Sequence, residues 1–335
     1  MSNQTSSFAE SGQPENFVLW DRINAPLAEP EMIFTDLWPA GTIALFTGDG
    51  GLGKTHWTLQ LMFVIAAGGK IDGTPFHCPT PRPVVYISQE DDADFLRGEL
   101  VSQFPDLRSR QDVASRIRFI STAVQGPTLF LTQRRSRDYL MQNIPEGAVF
   151  IVDSYSTILT SNESDNTQLL QNEIKFLKDI MKARKATALL IHHRPKPNSM
   201  TGQQSSYRGG TALPNSCRFH IMLSANGGRV RLTFEKVSRG AKPAHIDLIF
   251  DEERRFFVPK RLDRYVSAFK LGEELTTSEF MQRINKDPEN EKERNQALDI
   301  LRQRTKAGLI EKIGDGKKSE EARWKRKSDA EEGDL

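Results

Sequence analysis

The chain is short of cysteine and of net charge. Its 335 residues contain only two cysteines, Cys78 and Cys217. Neither has a CxxC partner or a histidine pair at metal-ligand spacing, so a disulfide framework and a zinc site are not indicated. No run approaches the roughly 20 consecutive apolar residues of a membrane helix, which argues against a membrane protein. Residues 1–16 lack the basic start and apolar stretch of a secretory signal and have the composition of a disordered leader. A cytoplasmic location is therefore expected. A net charge of +2 is too small by itself to announce a nucleic-acid binder, and no internal repeat is visible.

What is present fits a soluble globular chain, with 27% charged and 37% hydrophobic residues. The length accommodates one full α/β core and a smaller second unit. From residue 42 to about 258, short runs rich in Val, Ile and Phe alternate with helical patterns, the signature of a parallel sheet covered by helices. Strands are expected at 42–48, 84–89, 117–122, 148–154 and 186–193, each nearly continuous in apolar residues as buried parallel strands are. Further strands at 218–224, 230–236 and 246–258 follow one another too closely for crossover helices, so the sheet is expected to finish antiparallel. Residues 259–270 read as a linker. Beyond it, helices at 277–284 (Phe280, Met281 and Ile284 on one face) and 291–306 (Leu298 and Leu301 inward) precede two short strands, 309–313 and 323–327, around a Gly-rich turn. This is the pattern of a winged-helix domain, placed at 271–327, with an acidic tail at 328–335. The larger α/β domain is placed at 17–258.

Chemistry concentrates at the ends of the strands. The first runs into Gly48-Asp49-Gly50-Gly51-Leu52-Gly53-Lys54-Thr55, a complete GxxxxGKT sequence with a helical pattern after it. Such a loop wraps backbone N–H groups around phosphate oxygens, its lysine reaches the β and γ phosphates, and its threonine hydroxyl ligates Mg²⁺. The nucleotide cradle is accordingly assigned to residues 48–55 together with His56, with ATP and Mg²⁺ as the cofactors. The strand 148–154 carries Asp153 at its end, the second Mg²⁺-organising position. The strand 84–89 ends in Glu90-Asp91-Asp92. Glu90 is the candidate catalytic base, whereas Asp91 and Asp92 also suit the start of a helix, where negative charge is favourable. The strand 186–193 ends in His192-His193, and a polar loop with Arg194, Lys196, Gln203 and Gln204 leads to Tyr207-Arg208-Gly209-Gly210.

Taken in order, residues 34–42, the P-loop, Tyr86-Ile87-Ser88-Gln89-Glu90-Asp91, Phe150-Ile151-Val152-Asp153, His192-His193 and Ser206-Tyr207-Arg208-Gly209-Gly210 resemble the plasmid RepA-type hexameric replicative helicases. These are relatives of RecA, and the resemblance spans about residues 30–258. It implies a RecA-like P-loop core in which Glu90 polarises water, His193 senses the γ-phosphate and Arg208 is offered to the neighbouring subunit's nucleotide. The alternative for Arg208 is a loop arginine that binds DNA phosphate. Either Lys236 or Arg239, in Phe234-Glu235-Lys236-Val237-Ser238-Arg239-Gly240, is also expected to reach the neighbour's nucleotide. The resemblance further implies a homo-oligomer, a hexameric ring with single-stranded DNA held by loops at about 155–166 and 194–206. The basic residues of 292–327 suit duplex DNA, or else protein contacts alone or a solvated charged face, and replication initiator or primase proteins are candidate partners. Three readings stand at this point: an ATP-driven helicase or translocase of a plasmid, phage or mobile element, a nucleotide-switched DNA-binding regulator or loader, and, behind these two, a recombinase like RecA.

Overall fold

The computed structural model describes residues 18–26, 29–158, 167–193, 212–226, 229–260, 265, 268–269, 273–306, 310–313 and 322–326. A short helix α1 (Leu19–Arg22) and an antiparallel pair, β1 (Met32–Phe34) and β2 (Trp38–Pro39), precede the core. The core begins with β3 (Ile43–Gly48) and α2 (Lys54–Ala67), followed by a small pair, β4 (Gly69–Lys70) and β5 (His77–Cys78). Next come β6 (Val84–Ser88), α3 (Ala93–Gln103), α4 (Gln111–Ala114), β7 (Ile117–Ser121), α5 (Arg134–Asn143) and β8 (Val149–Asp153). Then follow α6 (Thr167–Arg184), β9 (Thr187–His193), α7 (Ala212–Ser216), β10 (Phe219–Asn226), β11 (Arg229–Val237), β12 (Ile246–Asp251) and β13 (Phe256–Pro259).

One nine-stranded sheet organises these elements in the order β13-β12-β11-β10-β3-β9-β8-β6-β7. From β10 to β7 every pairing is parallel, and β11, β12 and β13 are added antiparallel. The α/β fold class, with its mostly parallel sheet ending in antiparallel strands, is the one expected from the sequence. Every residue of β3, β6 and β8 is buried, because helices cover both faces. Alternate residues feed different cores. Ala44 and Phe46 pack with Trp57, Met62 and Leu96 on the α2–α3 side, whereas Ile43 and Leu45 pack with Phe150, Leu177 and Leu190 on the α6 side.

Three expectations change. Residues 246–258 are two strands, β12 and β13, because residues 252–255 turn and Arg255 takes a positive φ of 53°. The short strands β1, β2, β4 and β5 were not anticipated, being too short for a period-2 pattern to register. The first expected DNA loop opens with Tyr155–Ile158 as a 3-10 turn whose Tyr155 and Ile158 are buried in the α6-side core, so those two side chains are unavailable to a channel.

The carboxyl-terminal elements are β14 (Glu274–Thr276), α8 (Thr277–Arg283), α9 (Glu291–Lys306), β15 (Ile310–Ile313) and β16 (Arg323–Arg326), with sheet order β14-β16-β15. Thr276 and Glu279 form a reciprocal capping box at the start of α8. A separate core gathers Phe269, Leu275, Phe280, Met281, Ala297, Leu301, Ile310 and Trp324. Leu298, half-buried, packs against this core on the inward face expected of it, and Ala297 joins it fully buried. Strand β14 was not foreseen. The leader 1–16, the Gly-rich turn between 313 and 322 and the tail 328–335 lie outside the described residues. Among the described residues no helix is long and apolar enough to cross a membrane.

Candidate functional site: a phosphate loop and its carboxylates

Ligands in open α/β sheets bind beyond the carboxyl ends of the strands, where strand order reverses. That crevice lies here above β3, β9, β8 and β6. Residues Gly48 and His193 stand side by side in the β3–β9 register, and Ser88 beside Asp153 in the β6–β8 register. One rim therefore holds the ends of four strands.

The loop between β3 and α2 is shaped by close approaches. A Cβ on Gly48 would lie 2.8 Å from the Leu223 carbonyl oxygen of β10. Gly53 caps α2 in a left-handed conformation (φ 80°, ψ 29°), and a Cβ there would meet the Phe257 ring at 2.8 Å. Lys54, only 6% exposed, curls back so that Nζ donates to the Gly48 carbonyl at 3.0 Å and the Asp49 carbonyl at 2.8 Å. Burial lowers its pKa, opposed by the charges of Asp153, Asp49 and Glu90. An ammonium carries three N–H donors, so one remains for a phosphate oxygen.

Thr55 Oγ1 donates to Asp153 Oδ2 at 3.1 Å, and the Tyr86 hydroxyl, from β6, donates to the same oxygen. Asp153 is 8% exposed. Burial raises its pKa, the hydrogen bonds from Tyr86 and Thr55 lower it, Glu90 raises it and Lys54 lowers it. The Tyr86 phenol is held well above its ordinary range by burial and by Asp153, so it remains a donor. Glu90 is exposed, and its Oε1 accepts from Ser154 Oγ at 2.9 Å, which ties it to the residue following Asp153. Asp92 caps α3 by accepting from the Phe95 amide at 2.8 Å, as its helix-start reading requires. Asp91 has its pKa raised by burial and then by Asp153 and Glu90.

A hydroxyl and a carboxylate within hydrogen-bond reach, beside a lysine and a glycine loop, are the hard oxygen donors that Mg²⁺ takes when phosphates supply other ligands. Among the described residues no group of three His, Cys, Asp or Glu could hold a metal, so the fit is to a phosphate-assisted ion rather than to an all-protein cage. The glycines at 50 and 51 leave open space where a Cβ would stand, room that a phosphate chain can use.

A model of the AAA domain family matches residues 9–199. The chain belongs to the AAA domain family. ATP binding and hydrolysis at a P-loop is the activity that goes with this AAA domain. No curated protein matches it in sequence. Among solved structures the chain is similar to a KaiC-like protein from the hyperthermophilic archaeon Pyrococcus horikoshii, at 18% identity and TM-score 0.48, over 70% of this chain and 100% of that one. It is also similar to the RadB recombinase, at 17% identity and TM-score 0.44, over 64% and 90% of the two chains. A further solved ATPase domain gives 12% identity and TM-score 0.46, over 66% and 85%.

The remaining site candidates fall in different places. His56 pairs through Nε2 with Glu99 Oε2 at 2.9 Å, and Arg255 Nε reaches the same oxygen at 2.7 Å. Lys236 and Arg239 stand at the opposite end of the sheet from their own P-loop, where Val237 pairs with Phe219 and Phe219 with Ala44. Lys236 Nζ donates to the Pro214 carbonyl at 3.1 Å, and Arg239 is exposed in a cleft with Lys178, Lys182 and Arg218. Arg208 and residues 194–206, with Arg194, Lys196, Gln203 and Gln204, lie outside the described residues, as does the His193 side chain. Tyr86 stands inside the motif Tyr86-Ile87-Ser88-Gln89-Glu90-Asp91, where the sequence alone assigns its hydroxyl no part. The available signal was a phenol among the aliphatic Val84, Val85 and Ile87 of β6, since a buried hydroxyl calls for a partner.

Proposed function

We propose that the chain is an ATP-driven DNA motor, a ring-forming replicative helicase or translocase of a plasmid, phage or mobile element. The observation that carries the ATP chemistry is the convergence of Lys54, Thr55, Asp153 and Glu90 on one rim of the sheet, with Thr55 and Asp153 3.1 Å apart. In this reading residues 48–56 cradle the phosphates and Lys54 neutralises the β and γ oxygens. Thr55 and Asp153 hold Mg²⁺, which when bound offsets charge on the transferring phosphoryl group. Glu90 accepts the proton of the water whose oxygen attacks the γ-phosphorus, while the bond from that phosphorus to the β-phosphate oxygen of the leaving ADP breaks. His193, whose backbone stands beside Gly48, reports the γ-phosphate. Arg208 serves the neighbouring subunit, a role worth on the order of 10³–10⁵ in rate for trans fingers. Lys236 or Arg239 joins it, and their distance from their own P-loop is in keeping with action across an interface.

The order β14-α8-α9-β15-β16 supports a winged-helix reading of the carboxyl-terminal unit, with α9 as the recognition helix and the β15–β16 hairpin as the wing. Duplex DNA, or a replication initiator or primase, is its proposed partner, and residues 194–206 are the proposed grip on single-stranded DNA. The test is ATP-dependent strand displacement on a forked duplex, comparing the intact chain with Lys54→Ala and Arg208→Ala. A helicase loses displacement in both variants, and Arg208→Ala retains nucleotide binding. Active ATPase without displacement in the intact chain transfers the assignment to a nucleotide-switched regulator or loader.

A further inference from the structure

Tyr86 lies in the α2–α3 core, 0% exposed and beside Phe119. A hydroxyl in such a place costs a few kcal/mol unless it is partnered, and phenylalanine would fill the same volume without that cost. The hydroxyl here donates to Asp153 Oδ2, the oxygen that also receives the Thr55 hydroxyl. The sheet register explains the meeting. Tyr86 pairs with Ile151 and Ser88 with Asp153, so Tyr86 and Asp153 are on the same face, two residues apart along adjacent parallel strands. A tyrosine spans that offset, and the aliphatic neighbours Val84 and Val85 could not.

We propose that Tyr86 is a positioning residue for the metal-organising pair, holding the Asp153 carboxylate in the orientation that couples Mg²⁺ to nucleotide binding. Two donors on one oxygen pin the plane of the carboxylate. With Thr55 alone, a carboxylate at the end of β8 is free to rotate about its side-chain bonds, and the hydroxyl of Thr55 would follow it away from the phosphate loop. Partners that orient metal-holding groups typically alter metal affinity 10–100-fold when removed. The inference rests on the reading of Thr55 and Asp153 as the Mg²⁺ pair.

The experiment measures binding of a fluorescent ADP analogue to the full chain, first in chelator and then across a Mg²⁺ titration, for the native protein, Tyr86→Phe and Asp153→Asn. In Tyr86→Phe the metal-free affinity should stay within about twofold, while the Mg²⁺ concentration for half-maximal tightening rises by about 10-fold or more. An unchanged Mg²⁺ midpoint in Tyr86→Phe, with Asp153→Asn shifted, overturns the role of Tyr86 and leaves the metal pair standing. A midpoint unmoved in Asp153→Asn overturns the metal pair itself. As a readout independent of folding losses, 3-fluorotyrosine placed at position 86 should shift its fluorine resonance when Mg²⁺ joins the nucleotide-loaded protein. A resonance that ignores Mg²⁺ overturns the proposal.

Discussion

At the scale of single residues, the buried polar groups around the phosphate loop decide how the protein responds to its surroundings. His220 on β10 is 4% exposed and hydrogen-bonded through Nε2 to Thr47 Oγ1 at 2.9 Å, one residue before the loop begins. Burial, aided by the charge of Lys236, pulls its pKa down to about 4. The folded protein therefore keeps this ring neutral at pH values where the unfolded chain protonates it. Stability is full above the ordinary histidine range and declines as pH falls from about 6.5 toward about 4, by up to about 3 kcal/mol. Urea denaturation at about pH 7 and about pH 4.5 should show this loss, and His220→Gln should flatten the slope. Lys54, Thr55, Asp153 and Glu90 were legible in the sequence because motif spacing and strand ends announce them. Tyr86 and Ser154 were not, since their partners are set by register between strands, which one sequence does not display.

At the scale of elements, the P-loop helix is held from behind by the β12–β13 hairpin. Gln60 on α2 exchanges two hydrogen bonds with the backbone of Phe257, donating at 2.9 Å and accepting at 2.8 Å, while the Phe257 ring covers Gly53. Glu99 of α3 joins His56 of α2 to Arg255 of the hairpin turn. Gly53→Ala meets two costs here, a left-handed backbone of about 1 kcal/mol and an overlap with the ring of about 1–3 kcal/mol. Denaturant unfolding should show a loss of about 2–4 kcal/mol. Adding Phe257→Leu should recover the overlap and leave the backbone share. The expected single strand at 246–258 missed this hairpin because apolar residues continue on both sides of Glu252-Glu253-Arg254-Arg255. Its turn depends on a positive φ at an arginine, for which residue type gives no sign.

At the scale of the whole molecule, the nine-stranded sheet makes late residues part of the early core. Leu248 and Phe257 lie in the same buried cluster as Trp57 and Phe76. A fragment ending at residue 260 should unfold cooperatively and bind nucleotide, whereas one ending at residue 245 should lose cooperativity, as followed by circular dichroism and nucleotide fluorescence. The parallel body of the sheet was legible because its strands are apolar from end to end. Strand order was not, because it depends on which strands the helices can bridge.

That order also has a history within each newly made chain. Strand β3 sits between β9 and β10, with Ile43 beside Ala188 and Ala44 beside Phe219. A ribosome adding about 5–20 residues per second needs on the order of 10 s to travel from β3 to its first partner. The phosphate loop therefore leaves the exit tunnel attached to an apolar strand whose flanks do not yet exist. Strand β3 is made before either strand that flanks it, and during that interval both its apolar edges are open to nascent-chain chaperones.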